Sequence, residues 1–186
     1  MKNLTLLLLL FTSVTFSQGV QVIGKISLDP KMLIEGPHEG NDNFASSSLD
    51  MELQFGVEFA KRWRVSVAYQ SHKEINYKKY SWLMIDYKLI RIPIRINNHK
   101  IFINSYLGIE GSAIFREFPN AGPTEKSSQS SMWHYGGNAE LEIMITENVG
   151  LSSVFNYFRA EPALTRYGKK YRYEVMIGIN IKSNKF

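Results

Sequence analysis

The sequence predicts an all-β protein, an eight-stranded antiparallel up-and-down transmembrane β-barrel. Three observations carry this expectation. Eight segments show a side-chain period of two, short and long connections alternate, and each segment opposes a bulky apolar face to a face of charged and small residues. The last segment shows the pattern most plainly, in "YRYEVMIGINIKSNKF", Tyr171 to Phe186. Tyr171, Tyr173, Val175, Ile177, Ile179 and Ile181 fall on one face. Arg172, Glu174, Met176, Gly178, Asn180 and Lys182 fall on the other, as successive side chains of a strand must.

The other seven segments follow in order. Gly19 to Leu28 places Val20, Val22, Ile26 and Leu28 together. Leu49 to Ala60 sets Leu49, Met51, Leu53, Phe55, Val57 and Phe59 against Asp50, Glu52, Gln54, Gly56 and Glu58. Trp63 to Ser71 sets Trp63, Val65, Val67 and Tyr69 against Arg64, Ser66, Ala68 and Gln70. In Tyr80 to Ile96 the apolar parity changes from Leu83, Ile85, Tyr87 and Leu89 to Ile90, Ile92, Ile94 and Ile96. A β-bulge near Leu89 would absorb that slip. Pro93 lacks a ladder donor and suits a position near a strand end or bulge. Ile101 to Phe115, Met132 to Ile145 and Val149 to Phe158 complete the set.

Tight turns are expected at Lys61-Arg62, at "NNHK" and at "TEN". The other connections, Asp29 to Ser48, His72 to Lys79, Arg116 to Ser131 and Arg159 to Lys170, are long and rich in Gly, Pro, Ser, Asn and charge. "EKSSQSS", Glu125 to Ser131, reads as mobile loop within the third of them. All short turns therefore fall at one end and all long loops at the other, the asymmetry of outer-membrane barrels.

Which face looks inward follows from composition. The polar faces carry acids Asp50, Glu52, Glu58, Glu110, Glu140, Glu142 and Glu174 and bases Lys25, Arg64, Arg91, Arg95, Arg172 and Lys182. A sealed interior needs such matching, because unpaired buried charge is very costly. Small residues on the same faces, among them Gly56, Gly108, Gly136 and Gly178, would make room for long Arg and Glu side chains in a narrow barrel. The apolar faces put Tyr69, Trp82, Trp133, Tyr135, Tyr157, Tyr171 and Tyr173 towards the long loops, with Phe59 and Trp63 at the short turns. These suit two interfacial girdles. The segments also reach the ~9–11 residues that a tilted spanning strand needs.

The first residues, "MKNLTLLLLLFTSVTFSQ", read as a secretory signal peptide over 1–17 with cleavage before Gln18, leaving 18–186 as the barrel domain. The apolar run from Leu4 to Phe11 is shorter than the ~20 residues of a spanning helix. The chain has 186 residues, no cysteine and a formal charge of +5. Disulfides, thiolate metal sites, a cysteine nucleophile and a lipid-modified N-terminal cysteine are excluded. No Lys/Arg stripe points to nucleic acid.

"YKLIRIPIRI", Tyr87 to Ile96, followed by "KIFINSYLGIEGSAIF", Lys100 to Phe115, resembles the outer-membrane β-barrel families of Bacteroidota, including the PorT-like group. Ile92-Pro93, Gly108 to Gly111, the Phe-Ser-Gln end of the signal and the terminal Phe186 fit that pattern. Phe186 departs from it in lying beyond the alternating run. The resemblance implies an envelope or secretion-associated barrel.

Candidate chemistry is sparse. His38, His72, His99 and His134 show no metal-ligand spacing. His134 is expected to face inward at the long-loop rim, near Ser130 and Ser131 and on the same face as Glu140 and Glu142. Such a rim set would suit a lipid-modifying hydrolase or acyltransferase. The competing expectation makes His134 a hydrogen-bonded interior residue and makes Glu140 and Glu142 partners of Arg91, Arg95 and Arg172. No catalytic, cofactor-binding or metal residue is assigned on this reading. The expected protein is a monomeric, non-enzymatic outer-membrane barrel in contact with lipid and lipopolysaccharide, with envelope or secretion proteins as partners. A rim enzyme and a secreted soluble ligand-binding barrel are the alternatives.

Overall fold

The computed structural model describes residues 19–30, 51–72, 77–96, 99–117, 128–159 and 171–184. Eight strands form one closed antiparallel barrel: β1 (Gln21–Leu28), β2 (Met51–Phe59), β3 (Trp63–His72), β4 (Tyr77–Ile96), β5 (His99–Glu117), β6 (Ser128–Met144), β7 (Val149–Arg159) and β8 (Tyr171–Lys182). Each strand pairs with its sequence neighbours, and β8 closes the barrel on β1 from Ile23↔Lys182 to Leu28↔Ile177.

The two faces are inverted relative to a soluble barrel. Ile109, Phe55, Ile181 and Leu107 are more than half exposed on the outside. Glu142, Lys79 and Gln70 are completely buried. The Ile face of β8 therefore points outward, and the soluble-barrel alternative, with that face as the core, does not describe this chain.

The turns are close to those expected. The first reversal is at Ala60 and Lys61, one residue earlier than anticipated; both have positive φ (50° and 61°), and Arg62 N–H donates to the Phe59 carbonyl at 3.3 Å. Positive φ at both central residues matches the twist of the flanking strands. In the Thr146–Asn148 turn the Thr146 hydroxyl accepts from the backbone N–H of Asn148 (3.2 Å) and Val149 (2.9 Å). Asn148 also holds the end of β8, accepting from Lys182 N–H at 2.7 Å. Ser183 continues this stitching, donating to Val22 O at 2.8 Å. Phe186 and Asp50 lie outside the described residues, as do the proposed signal segment and much of the long connections.

Three elements depart from the sequence reading. The slip at Leu89 is present, between Lys88 and Ile90, but β4 has a second one between Ser81 and Leu83. It turns Trp82 and Leu83 both outward (47% and 37% exposed). β5 runs on to Glu117, and β6 begins at Ser128, so Ser128–Ser131 is strand and not loop. Finally, Arg91 and Arg95 are exposed and contribute nothing to the filled interior.

The inward glycines mark close approaches. A Cβ on Gly178 would lie 2.5 Å from the Ile26 carbonyl oxygen and 2.9 Å from Ser27 Cα, backbone atoms that cannot yield. Outward Gly24 has only the Phe55 ring nearby, at 3.7 Å. Gly178→Val is therefore expected to destabilise the barrel by about 1–3 kcal/mol through overpacking, while Gly24→Ala is tolerated. Urea titration of the folded, heat-modifiable gel band checks both.

Candidate functional site

The distinctive chemistry of the molecule is its polar interior. Inward positions on every strand but β7 deliver charged side chains into a lumen too narrow for anything but side chains. Among the described residues the buried acids are Glu52, Glu58, Asp86, Glu110, Glu140, Glu142 and Glu174, and the buried bases are Lys25, Arg64, Lys79, Lys88 and Lys182.

Arg64 of β3 is the hub. Its Nη1 donates to Glu140 Oε2 at 2.7 Å and its Nη2 to Glu142 Oε1 at 3.4 Å; Asp86 Oδ2 lies at 4.0 Å. The guanidinium carbon sits 3.9 Å from the centroid of the Tyr106 ring. Glu140 also receives Lys25 Nζ of β1 at 3.3 Å, and Lys25 lies 3.8 Å from Glu52. The bonds of Arg64 and Lys25 to Glu140 and Glu142 join strands that do not neighbour one another, so side chains cross the lumen at this level.

A second cluster lies nearer the short turns. Lys182 Nζ contacts Glu142 Oε2 at 2.9 Å, Glu58 Oε2 at 3.1 Å and the Tyr106 hydroxyl at 3.2 Å. Lys88 pairs with Glu58, and Tyr106 O–H bonds Glu58 at 2.9 Å and Glu142 at 3.1 Å. Asn104 (2.7 Å) and Asn180 (2.8 Å) donate to the remaining positions of Glu142. Glu58 and Glu142 thus each have several charge-assisted donors, which is what burial of such a group demands. Towards the long loops, Lys79 Nζ binds Glu110 at 3.1 Å and lies 4.3 Å from the Phe158 ring centroid, while Gln70 donates to Glu174.

The expected partners of Glu140 and Glu142 are corrected by this geometry. Arg64, Lys25 and Lys182 hold them, not Arg91 and Arg95; the Arg172 side chain lies outside the described residues. β3 begins at Trp63 opposite Tyr87, so β4 has passed the end of the closed wall before it reaches Arg91. Sequence parity alone places Arg91 inward, but with β3 ended its side chain is exposed at the barrel mouth and does not enter the closed lumen. Lys79, Asp86, Lys88 and Tyr106 are network members that the sequence reading passed over. Inward parity was the available signal for Asp86, Lys88 and Tyr106, whereas Lys79 shares the parity of outward Leu83 and is turned inward by the second slip.

His134 does face inward near the rim (2% exposed), and its Nδ1 lies 2.8 Å from the Arg159 carbonyl oxygen. Glu140 lies six residues along the same strand, roughly 20 Å away at the strand rise. The rim set of histidine and glutamates is not assembled. Among the described residues no group of three or more His, Asp or Glu side chains is arranged to hold a metal ion.

Aromatic side chains mark both ends of the outer surface. Trp82 and Trp133 (centroids 5.6 Å apart), Tyr69 and Tyr80 (5.1 Å), and Tyr80 and Phe115 (5.6 Å) pack towards the long loops. Trp133 and Tyr173 are 80% and 70% exposed. At the short-turn end Trp63 packs edge-on against Tyr87 at 4.9 Å, and Arg62 donates to the Tyr87 hydroxyl at 2.8 Å.

No protein-family model matches the chain, and no curated protein matches it in sequence. Among solved structures the chain is similar to Ail, the attachment invasion locus protein of Yersinia pestis, at 14% identity over 89% of this chain and 99% of that one, with a TM-score of 0.44. It is similar to the N-terminal β-barrel domain of Pseudomonas aeruginosa OprF at 9% identity over 89% and 98%, with a TM-score of 0.43. Neisserial surface protein A aligns at 14% identity over 87% and 94%, with a TM-score of 0.37.

Proposed function

We propose that this chain is an integral outer-membrane barrel with a filled polar interior, non-enzymatic, serving a surface-interaction, envelope-structural or secretion-associated role. The inverted surface carries this reading. A continuous apolar outer face bounded by aromatic side chains suits lipid, whereas in water it would be an aggregation surface. Closure leaves no strand edge within the wall, as a hydrocarbon environment requires.

Residues 1–17 act as the export signal on this reading, and the outer face meets phospholipid and lipopolysaccharide. The Bacteroidota-like stretches at 87–96 and 100–115 favour the envelope and secretion setting. The interior acids and bases are committed to one another, which supports a structural and not a catalytic use of Glu140 and Glu142. The crossing of the lumen by Arg64 and Lys25 argues against a wide aqueous pore.

Fractionation tests the proposal. The mature protein is expected in detergent-extracted outer membrane and should migrate faster on gels before boiling than after. Recovery in the soluble periplasm or medium would overturn it.

A further inference from the structure

β4 and β5 outlast their neighbours at the short-turn end. β3 starts at Trp63 opposite Tyr87, and β6 ends at Met144 opposite Phe102. β4 and β5 continue past β3 as a ribbon from Ile90↔Ser105 to Ile96↔His99, still flanked by β6 as far as Phe102 and two-stranded from Ile94↔Ile101 onward. Its outer face carries Ile92↔Ile103 and Ile94↔Ile101, in line with the apolar outer wall. Its other face, in line with the lumen, carries Arg91↔Asn104, Pro93↔Phe102 and Arg95↔Lys100.

At the base of the ribbon a cavity of about 290 Å³ opens at the mouth of the barrel, with Glu58, Lys88, Arg91, Phe102, Glu147 and Lys182 among its walls. Lys88 and Lys182 are neutralised by Glu58 and Glu142. Arg91 is different: its guanidinium lies 4.2 Å from the Phe102 ring centroid, and among the described residues no carboxylate pairs with it. Stacking fixes the plane of the guanidinium and leaves its N–H edge available for bidentate contact with a carboxylate. Arg95 and Lys100 extend the same face, exposed and likewise without a carboxylate partner among the described residues.

We propose that this face is a docking site for an extended, acidic polypeptide segment. The spacing selects that ligand class. Same-face side chains on a strand repeat every ~7 Å, and Arg91 and Arg95 stand two such repeats apart. Alternate carboxylates of an extended peptide have the same pitch, so one segment engages both arginines, whereas a single small anion reaches only one. Pro93 between them withholds a backbone donor, so side-chain charge and not strand addition supplies the binding. Placing the partner in the periplasm rests on the membrane reading above; the site itself does not.

The test uses the purified, folded protein in neutral detergent micelles and a fluorescent peptide of alternating Glu and Ser. Saturable binding that weakens with salt is expected, with little binding of the Lys/Ser counterpart. Arg91→Glu with Arg95→Glu should weaken it at least about tenfold, because two attractive contacts become repulsive. Both residues are exposed, so heat-modifiable migration should be unchanged; should that variant not fold, Arg91→Gln with Arg95→Gln carries the same expected direction. Equal affinity in variant and parent overturns the proposal. So does a lack of saturable peptide binding, whether or not inorganic phosphate or phosphatidylglycerol vesicles bind instead. None of these outcomes bears on whether the barrel fractionates with the outer membrane.

Discussion

Arg64→Leu is expected to cost the folded barrel about 3–5 kcal/mol, because it removes a cation shared by three buried carboxylates and leaves one of them unpaired. Arg64 is 1% exposed and supplies the 2.7 Å bond to Glu140, the 3.4 Å bond to Glu142 and the cation nearest Asp86. Lys25 still reaches Glu140 and Lys182 still reaches Glu142, but Asp86 is left facing Asn138 with no cation in its place. The leucine fills part of the space and none of the charge. Arg62→Leu removes an arginine two residues away that is exposed and bonds only the Tyr87 hydroxyl in the described contacts. It should cost no more than about 1 kcal/mol. Urea titrations in lipid vesicles, read by gel migration, compare the two. Adding Asp86→Asn to Arg64→Leu should recover part of the loss, since it removes the charge left without a cation. A cost for Arg64→Leu no larger than that for Arg62→Leu would show that the network is decorative.

The strands were legible because period two is a local property. β8, β7 and the outward residues of β2 and β3 sit where alternation places them, and the neighbour-to-neighbour pairing follows from three tight turns. Which charges meet was not legible. Glu140 on β6 takes its cations from β3 and β1, across the lumen, and that depends on closure and stagger, which no single segment encodes. Arg91 shows the complementary failure. Its parity is inward, yet a side chain is buried only if neighbouring strands are still present at its level, and β3 has already ended. The slip at Trp82 was hidden by composition: Trp82 and Leu83 are both apolar, so an extra outward residue leaves no polar residue out of place. Ser128–Ser131 was hidden because four uncharged polar residues give neither face a signature.

The sharpest test of the membrane reading is a charge on the outer wall. Val67 sits midway along β3, four residues from Trp63 at the short-turn end, and is 52% exposed. Val67→Arg is expected to destabilise the barrel in phospholipid vesicles by about 2–4 kcal/mol, the cost of a cation near the bilayer midplane. The same substitution at Trp63, at the level of Tyr87 and Arg62, should cost only about 0–1 kcal/mol for the charge, because the side chain reaches water. That gradient with depth is the decisive quantity. A barrel standing in water would accept an arginine at Val67 within about 0.5 kcal/mol, since surface substitutions away from special contacts cost little. A flat profile would therefore return the outer face to water and remove the reason for the charged interior to be read as the inside of a membrane barrel. A steep one ties the alternation in the sequence directly to the solvent on each side of the wall.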